Sequence, residues 1–557
     1  MVWPTGQNRL IVDPGTNRYE NGLVLRCCIY RRETTPSWAP SGTLQDTIYE
    51  LIVVAVKGPH VAVCASEAAI RDRIARKLTS AHPVSSELIE RSFVGTNANA
   101  MWLSGIHIPT SVKATAKALL GPALEDALDP LGDQSYFYKA VRTTVPIDMA
   151  GVPRPTVIGA SPEHGRIWLN RPGTWDVFVR ELEAILDHIA NPPQPQKGFR
   201  ALAQRLNTLS GVKDAYEVAI VPTELLSEMD DTLRDMAQTW AYESTFKVKP
   251  GAGASLIATV WVQGKIIGEM ELTITFGKKA IIAHQWISTP PAGADKRDEF
   301  ADIVLGKGWL KIYYQDGYTI AGDQVYRNGW QDQPFDWEFV DLTGYAVKDE
   351  KPKPHSGKTL AECIGEAKKD GTIDNSLFGY VVRKAFPKGW LASDDGSMEL
   401  ADFIHIDPAS ETVTLIHAKG AKTNGVRRQV SVANYEVVVS QAIKNLRHLD
   451  RVILADALDS GSNKKIARAV WYDGKRIPDR KGIIAAARKL GSNYKRQVIV
   501  FQPQLTQKEQ AACVGPKPTA RGDRLIRMRQ LDTLMLAARL SARSIGADLI
   551  GWGDGSP

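Results

Sequence analysis

A stretch in the last third of the chain decides the fold of that region: Glu399-Leu-Ala-Asp402-Phe-Ile-His-Ile-Asp407, then Pro408-Ala-Ser-Glu411, then Thr412-Val-Thr-Leu-Ile-His417-Ala-Lys419. Two runs rich in apolar and β-branched residues flank a polar connection, which is the pattern of a β-hairpin. Because side chains alternate between the faces of a strand, Asp402 shares a face with Ile404, and His417 and Lys419 share a face with Leu415. The hairpin therefore places polar groups on an apolar face.

The register of this hairpin brings those polar groups together. A turn about Ala409-Ser410 pairs residues whose numbers add up to 819, so that Asp402 lies opposite His417. Directly opposed Cβ atoms lie about 5 Å apart and diagonal ones about 7 Å apart, and Lys419 is the diagonal neighbour of Asp402. A carboxylate on an apolar face is costly unless it is paired or bound to a metal. The sequence thus predicts one site that holds an acid, an imidazole and a lysine.

This pattern resembles the PD-(D/E)XK nuclease superfamily, whose signature is an Asp at the end of one strand and (Glu/Asp/Gln)-x-Lys on the next. Asp402 matches the first element and His417-Ala-Lys419 matches the second, with a histidine where the family most often has a carboxylate. The resemblance covers roughly residues 355–505. It implies a restriction-endonuclease-like α/β core, and more loosely the region is similar to nuclease segments attached to bacterial phage-defence helicases.

The resemblance implies metal-dependent hydrolysis of phosphodiester bonds with Mg²⁺ or Mn²⁺. A divalent ion activates water and stabilises the charge that develops on phosphate oxygens. Asp402 is then the principal metal ligand, and Lys419 is the catalytic lysine that orients or deprotonates the water or stabilises the transition state. His417 is a metal ligand or a water-positioning group, and its nitrogen suits Mn²⁺ better than Mg²⁺. The alternative is a structural hairpin with an incidental Asp–Lys pair.

Residues around the hairpin are further candidates. Glu399 lies on the opposite strand face from Asp402, so it is a metal ligand only if the strand ends or bulges between them. Residues 432–447 have the apolar spacing of a helix. In the family a helix after the lysine strand often carries a Gln or Lys near the active site, and Gln441 and Lys444 match this position. The alternative for both is a solvated polar face.

Four other acidic residues are less favoured as metal ligands. Asp394 and Asp395 precede Gly396 and are expected to be turn residues rather than metal ligands. Glu362 and Glu366 lie on a predicted helix before the core, where families of this type often place a glutamate beside the metal.

Charge is distributed unevenly along the chain. Residues 1–350 contain 35 Lys plus Arg and 41 Asp plus Glu, a balance of −6. Residues 351–557 contain 34 Lys plus Arg and 21 Asp plus Glu, a balance of +13, so that the whole chain has a net charge of +7. A basic surface on the nuclease region suits contact with phosphates. The candidates for nucleic-acid binding, besides Lys444, are the series Arg521, Arg524, Arg527 and Arg529. Basic helices also occur on proteins that bind no nucleic acid.

Two breaks predict three domains in a multidomain α/β protein. The Pro-rich segment 191–197 and the charged segment 348–358 have the composition of linkers. The expected domains are an α/β domain at 1–190, a β-rich middle domain at 200–347 and the nuclease domain with a basic C-terminal extension at 355–557. The nuclease sheet is expected to combine strands in the 390s, at 399–407 and at 412–419 with buried strands at 451–455 and 497–502.

Composition excludes several classes of protein. The chain of 557 residues is 43% hydrophobic and 24% charged, and it contains no apolar run of 18 residues, so no transmembrane helix and no signal peptide are expected. Five cysteines without CxxC spacing fit reduced thiols in a cytoplasm. The segment His355–Thr359 imitates the end of a P-loop, but Pro352 stands where that motif needs a glycine. ATP hydrolysis is therefore not expected.

These observations predict a cytoplasmic, metal-dependent DNA endonuclease that acts as an effector of bacterial antiphage defence. A helicase or a guide-bearing protein is the expected partner. The first two domains are expected to be sensing or assembly domains. Two alternatives stay open. One is a non-catalytic nucleic-acid-binding scaffold whose nuclease site has degenerated, and the other is an RNase toxin.

Overall fold

The computed structural model is mixed α/β and divides into two compact units. One unit comprises Met1–Leu128 with Gly132–Gly329, and the other comprises Asp129–Leu131 with Trp330–Pro557. The structure describes residues 9–557 except 37, 41, 67–69, 72–73, 75–76, 79–83, 95–96, 150–151, 163–164, 194–198, 200, 223–230, 278, 356, 368–369, 397–398 and 516. None of the described helices combines the length and the apolar character that crossing a membrane requires.

The described residues of the first unit form four antiparallel sheets. Their strand orders are β1-β2-β3-β4, β6-β5-β7-β8-β9, β10-β18-β17-β16-β11 and β12-β13-β14-β15. The strands are β1 Arg9–Arg18, β2 Val24–Thr34, β3 Asp46–Lys57, β4 His60–Ala65, β5 Ala98–Gly105, β6 Ala116–Leu120, β7 Tyr136–Met149, β8 Val152–Ser161, β9 Arg166–Trp168, β10 Arg205–Leu206, β11 Ala215–Ile220, β12 Ser244–Pro250, β13 Leu256–Val262, β14 Lys265–Phe276, β15 Ala280–Ser288, β16 Leu310–Tyr314, β17 Tyr318–Ala321 and β18 Gln324–Arg327. The helices are α1 Ser86–Phe93, α2 Leu124–Ala127, α3 Trp175–Ala190, α4 Asp231–Tyr242 and α5 Ala294–Glu299.

The second unit is built on one mixed sheet of eight strands. Its order is β19-β26-β25-β22-β21-β20-β23-β24. The strands are β19 Trp337–Val340, β20 Trp390–Ser393, β21 Phe403–Asp407, β22 Thr412–Ala418, β23 Val470–Tyr472, β24 Lys475–Ile477, β25 Lys495–Thr506 and β26 Asp548–Asp554. The α-helices are α6 Leu360–Cys363, α7 Leu377–Tyr380, α8 Ala433–Lys444, α9 Arg451–Ser460, α10 Lys481–Lys489, α11 Gln507–Cys513 and α12 Asp523–Arg543.

The register of the central hairpin confirms the prediction from its sequence. The β21–β22 pairs run from Phe403–Ile416 to Asp407–Thr412, and the numbers in each pair add up to 819. Strand β22 pairs in parallel with β25, and α8 lies between them in the chain, as a parallel connection requires. The mixed sheet and its strand at 497–502 are therefore confirmed.

Apolar side chains cover both faces of this sheet. Ile404, Val413 and Leu415 pack in one core with α8, α10 and α12. Phe403 and Ile416, their neighbours along the strands, point into a second core with α7. Because successive side chains in a strand point to opposite faces, the central strands are buried on both sides, as in other sheets with helical layers on each face.

Two predicted strands differ from the structure. The strand expected at 399–407 begins only at Phe403. The strand expected at 451–455 is the start of α9, because Asp450 caps the helix by accepting hydrogen bonds from the backbone N–H groups of Val452 and Ile453. An apolar run of this length fits a helix as well as a buried strand, and the cap decides between them.

The division of the chain also differs from the predicted domains. The segment 348–358 lies inside the second unit, since β19 precedes it and pairs in parallel with β26. The predicted domains at 1–190 and 200–347 both contribute to the first unit, which ends at Gly329. Residues 194–197 of the linker expected at 191–197 lie outside the described residues.

Asp532 of α12 makes the second unit sensitive to pH. Its side chain is 4% exposed and accepts a hydrogen bond from the Trp337 indole at 3.0 Å. Burial raises the pKa of Asp532 to about 7, although the Trp337 N–H acts in the opposite direction. The native state therefore keeps a proton that the unfolded chain loses above about pH 4. It follows that the free energy of unfolding falls as the pH rises from about 4 to about 7, and then stays low.

We predict that Asp532→Asn removes most of this loss, which amounts to up to about 4 kcal/mol at roughly 1.4 kcal/mol for each pKa unit. The amide oxygen of Asn can still accept the Trp337 hydrogen bond. Urea unfolding of the second unit at pH 5 and pH 8 measures the effect. If wild type and Asp532→Asn lose the same free energy of unfolding between pH 5 and pH 8, Asp532 does not cause the loss.

Candidate functional site

Three carboxylates meet where β20 ends and β21 begins. They belong to Asp395, Glu399 and Asp402, and each offers one oxygen that lies within 4.8 Å of the others. Asp402 is 4% exposed, and the other two are partly buried. Within the part of the chain that the structure describes, no other set of three acidic, histidine or cysteine side chains meets in this way. We call these three residues the carboxylate cluster.

The connection between the two strands folds back on itself. Ser393, the last residue of β20, donates its hydroxyl hydrogen bond to the backbone oxygen of Asp402 at 2.9 Å. The backbone N–H of Asp394 donates to the same oxygen at 3.2 Å, and the N–H of Leu400 donates to the Asp394 carboxylate at 3.1 Å. These bonds bring the two ends of the connection together.

Glu399 joins the cluster because it precedes the strand. The alternation that would place it on the opposite face from Asp402 applies only within a strand, and β21 begins at Phe403. The strand therefore does not include Glu399, which is the condition under which Glu399 was expected to be a candidate metal ligand. Its carboxylate accepts a hydrogen bond from the Gly396 N–H at 3.1 Å, which fixes it within the connection.

The neighbouring acids Asp394 and Asp395 have different positions. Asp394 is 2% exposed and forms an ion pair at 2.8 Å with Arg480, a side chain that is itself fully buried. Arg480 also donates to the backbone oxygen of Ser393. Breaking such a buried pair costs about 3–5 kcal/mol, so Asp394 and Arg480 hold the connection in shape. Asp395 was expected to be a turn residue only, and its place in the carboxylate cluster corrects that expectation.

Asp402 lies in an environment that disfavours its negative charge. Burial raises the pKa of Asp402 well above its ordinary value, and the charges of Glu399, Glu350 and Asp395 act in the same direction. One contact opposes this, since the backbone N–H of Ala418 donates to the Asp402 carboxylate at 2.8 Å. The Ala418 bond joins the end of β22 to the cluster. A cation bound among these carboxylates would relieve their repulsion.

Two lysines and one further acid surround the cluster. Lys351 pairs with Asp395 and, at 3.3 Å, with Glu350, whereas Lys419 pairs with the other oxygen of Glu350 at 2.9 Å. Burial alone would lower the pKa of Lys351, but the hydrogen bond to Asp395 and the nearby negative charges raise it. Lys351 therefore remains a cation beside the cluster.

Sequence reasoning missed Glu350 and Lys351. Both lie in the charged segment 348–358, whose composition is that of a linker, and no spacing relates them to the hairpin. Only the folded chain brings them beside Asp395.

His417 is not a member of the carboxylate cluster. Its side chain is fully buried, neither ring nitrogen has a hydrogen-bond partner among the described residues, and its nitrogens are not part of the group of converging oxygens. Burial lowers the pKa of His417 to about 3, and the charge of Lys444 adds to this effect. The imidazole is therefore neutral. Of the expected set of Asp402, His417 and Lys419, Asp402 belongs to the carboxylate cluster, Lys419 contacts Glu350, and His417 is in neither group.

Helix α8 reaches the cluster through Gln441, one of the two residues that the family resemblance places near the active site. The Gln441 amide donates a hydrogen bond to Glu399 at 2.8 Å. Lys444, near the end of the same helix, is exposed. Glu362 and Glu366 do not belong to the cluster. Glu362 caps its own helix by accepting from Thr359, and Glu366 pairs with Arg476 at 2.9 Å.

Carboxylates partly neutralise the predicted nucleic-acid-binding arginines. Arg524 forms two hydrogen bonds with the buried Glu509, so it stabilises the packing of α12. Arg529 pairs with Asp332 at 3.0 Å, and Arg527 pairs loosely with Asp523 at 3.7 Å. Arg521 is exposed just before the helix. Of the four, Arg521 and Arg527 are the most available to an anion.

The site combines three convergent carboxylates, two lysines and a glutamine at one end of a mixed sheet. No protein-family model matches this chain, and comparisons with curated proteins and with solved structures also find no match.

Proposed function

We propose that the second unit is a metal-dependent nuclease that hydrolyses phosphodiester bonds in DNA. The observation that carries this proposal is the convergence of Asp395, Glu399 and Asp402 beside Lys351 and Lys419. Clustered carboxylates can hold a divalent ion that activates water, and a nearby lysine can orient that water or stabilise the charge that develops in this hydrolysis. The order of β20, β21, β22 and β25, with α8 between the last two, supports a restriction-endonuclease-like core.

The donor atoms of the cluster fit Mg²⁺ or Mn²⁺. All three are carboxylate oxygens, which hard divalent cations prefer. Neighbouring oxygens around an octahedral Mg²⁺ ion are about 3 Å apart and opposite ones about 4 Å, so oxygens that now lie within 4.8 Å of one another would draw together by up to about 2 Å on binding. Because His417 stands outside this group, the nitrogen that would have favoured Mn²⁺ over Mg²⁺ is not part of the proposed ligand set.

A bound divalent ion would supply an activated water and neutralise charge on the phosphate. The protein's own groups have separate tasks. The Ala418 N–H holds the Asp402 carboxylate and Gln441 orients Glu399. Lys419 is exposed enough to reach substrate, with 46% of its side chain accessible, and its ammonium would stabilise the developing negative charge or orient water.

Of the two roles expected for His417, we propose the water-positioning one, because its nitrogens are not among the converging ligands. A neutral, fully buried imidazole without a protein partner among the described residues has a free lone pair and a free N–H, which can hold one water molecule. The excess of 13 positive charges in residues 351–557 supports a polyanionic substrate. The sequence resemblance, together with this positive charge, fits a cytoplasmic effector in bacterial antiphage defence that works with a helicase or a guide-bearing partner.

One alternative has a specific observation in its favour. The absence of His417 from the carboxylate cluster, and the pairing of Lys419 with Glu350, favour a nucleic-acid-binding scaffold whose catalytic site has degenerated. Such a protein would bind DNA but would not cut it with any metal.

Cleavage assays with the full chain separate these functions. Plasmid, single-stranded DNA and RNA are each incubated with Mg²⁺, with Mn²⁺ or with EDTA. We predict that DNA is cut in either metal, that EDTA stops cleavage, and that excess Mg²⁺ restores it. Undiminished cleavage in EDTA would contradict the metal site. Binding without cleavage in any metal would favour the scaffold, and cleavage of RNA alone would favour an RNase toxin.

A further inference from the structure

One face of α12 lines an open groove on the second unit. Ile526, Arg529, Gln530 and Thr533 follow each other at the spacing of a single helix face, while the core residues Leu531, Met535 and Ala538 occupy the opposite side. Trp330 and Asp332 form the other wall. The groove has a volume of about 410 Å³ and is separate from the carboxylate cluster in the residues that line it.

Trp330 is exposed and yet fixed in this groove. Its side chain is 62% exposed, and its indole N–H donates to one oxygen of Asp332 at 3.0 Å. The other oxygen of Asp332 accepts from Arg529 at 3.0 Å. This chain of contacts connects the indole to α12. A large aromatic ring left in solvent forgoes the stabilisation of burial, whereas a fixed exposed ring is ready to stack on a planar ligand.

Arginines on and near α12 suit an anionic ligand. Arg529 lines the groove while it pairs with Asp332, Arg527 is exposed on the same helix, and Arg521 is exposed just before it. Residues 451–543 as a whole contain 20 basic and 7 acidic residues. Proteins bind unpaired nucleotides by stacking bases on aromatic rings while cationic side chains contact the phosphates. Trp330 with the neighbouring arginines supplies both parts.

We propose that this groove binds a single-stranded segment of nucleic acid, with an unpaired base stacked on Trp330. The inference rests on the proposed nuclease function and extends it, since it gives the enzyme a second contact with an unpaired strand. An amphipathic peptide is a poorer fit, because such ligands need a continuous row of apolar residues and only Trp330 and Ile526 are large and apolar here. A second copy of the chain would likewise need a larger apolar surface.

Binding assays with the full chain in EDTA test the proposal without cleavage. Fluorescence anisotropy measures the Kd for oligo-dT, for oligo-rU and for a duplex of equal length. Trp330→Ala should weaken binding of the unpaired strands by roughly 5- to 150-fold, the range produced by the loss of one stacked base. Trp330→Phe should retain most of the affinity. Trp38→Ala, which changes a tryptophan that is 77% exposed in the first unit, is the matched control and should bind as wild type does.

Three results would overturn the proposal. Trp330→Ala could bind both unpaired strands with the same affinity as wild type, or it could lose as much affinity for the duplex as for the unpaired strands. The third result is a wild-type dimer in sedimentation velocity that Trp330→Ala dissociates. A difference between the dT and rU arms would identify the strand as DNA or RNA and would support the proposal in either case. Because no metal is present, these outcomes are independent of whether the carboxylate cluster cuts DNA.

Discussion

Asp402→Asn should reduce the rate of DNA cleavage by at least about 10³-fold while the protein stays folded. Asn keeps an oxygen that can accept the hydrogen bond of the Ala418 N–H, so the backbone around the site should not change. It loses the negative charge that would hold the divalent ion. Initial rates on plasmid DNA in saturating Mg²⁺ measure the effect, and circular dichroism checks the fold.

The same substitution should not destabilise the metal-free protein. Asp402 is buried next to Glu399, Asp395 and Glu350, and removing one of these like charges relieves repulsion. The melting temperature of Asp402→Asn in EDTA should therefore equal or exceed that of wild type, as is usual when a residue is retained for function rather than stability. Asp459→Asn is the control, since Asp459 and its partner Arg488 are both more than half exposed. Full activity in a folded Asp402→Asn protein would refute the site.

Lys419→Met should lower kcat by about 10²- to 10⁴-fold with little change in the affinity for Mn²⁺. Methionine keeps much of the aliphatic length and removes the ammonium. Lys419 contacts Glu350 rather than a member of the carboxylate cluster, so its loss should leave the metal ligands in place. Single-turnover cleavage and Mn²⁺ titration measure the two effects separately.

Lys351→Met is the matched comparison for Lys419→Met. Lys351 pairs with Asp395 and lies near Asp402, so its ammonium repels an ion bound by the cluster. Its removal should tighten Mn²⁺ binding by about tenfold, because repulsion between an ammonium and a dication amounts to roughly 1–2 kcal/mol even with solvent screening. The metal-free variant should melt at a lower temperature. If Lys351→Met loses catalysis and Lys419→Met does not, Lys351 is the catalytic lysine.

Local patterns predicted the core of the second unit. The hairpin register follows from two alternating runs and a short turn, and the pairing of Phe403 with Ile416 agrees with it. The near-continuous apolar runs at 403–406 and 413–418 also agree with central strands that are buried on both faces. Such information lies within about 20 residues of the chain and depends only on strand geometry.

The rest of the site depends on long-range packing. Glu350 and Lys351 approach Asp395 from more than 40 residues away in the chain, and nothing in their own segment indicates this contact. Asp395 and Gly396 have the sequence of an ordinary turn. Asp395 is directed toward Asp402 by the fold of the connection between β20 and β21, in which Asp394 pairs with Arg480.

The most direct test of this account is Mn²⁺ binding to the metal-free full chain by titration calorimetry. Wild type should bind one Mn²⁺ ion at the carboxylate cluster, and Asp402→Asn should bind that ion at least about 100-fold more weakly. Asp459→Asn should behave as wild type does. If wild type binds no Mn²⁺, or if Asp402→Asn binds it with unchanged affinity, then Asp395, Glu399 and Asp402 do not form a metal site.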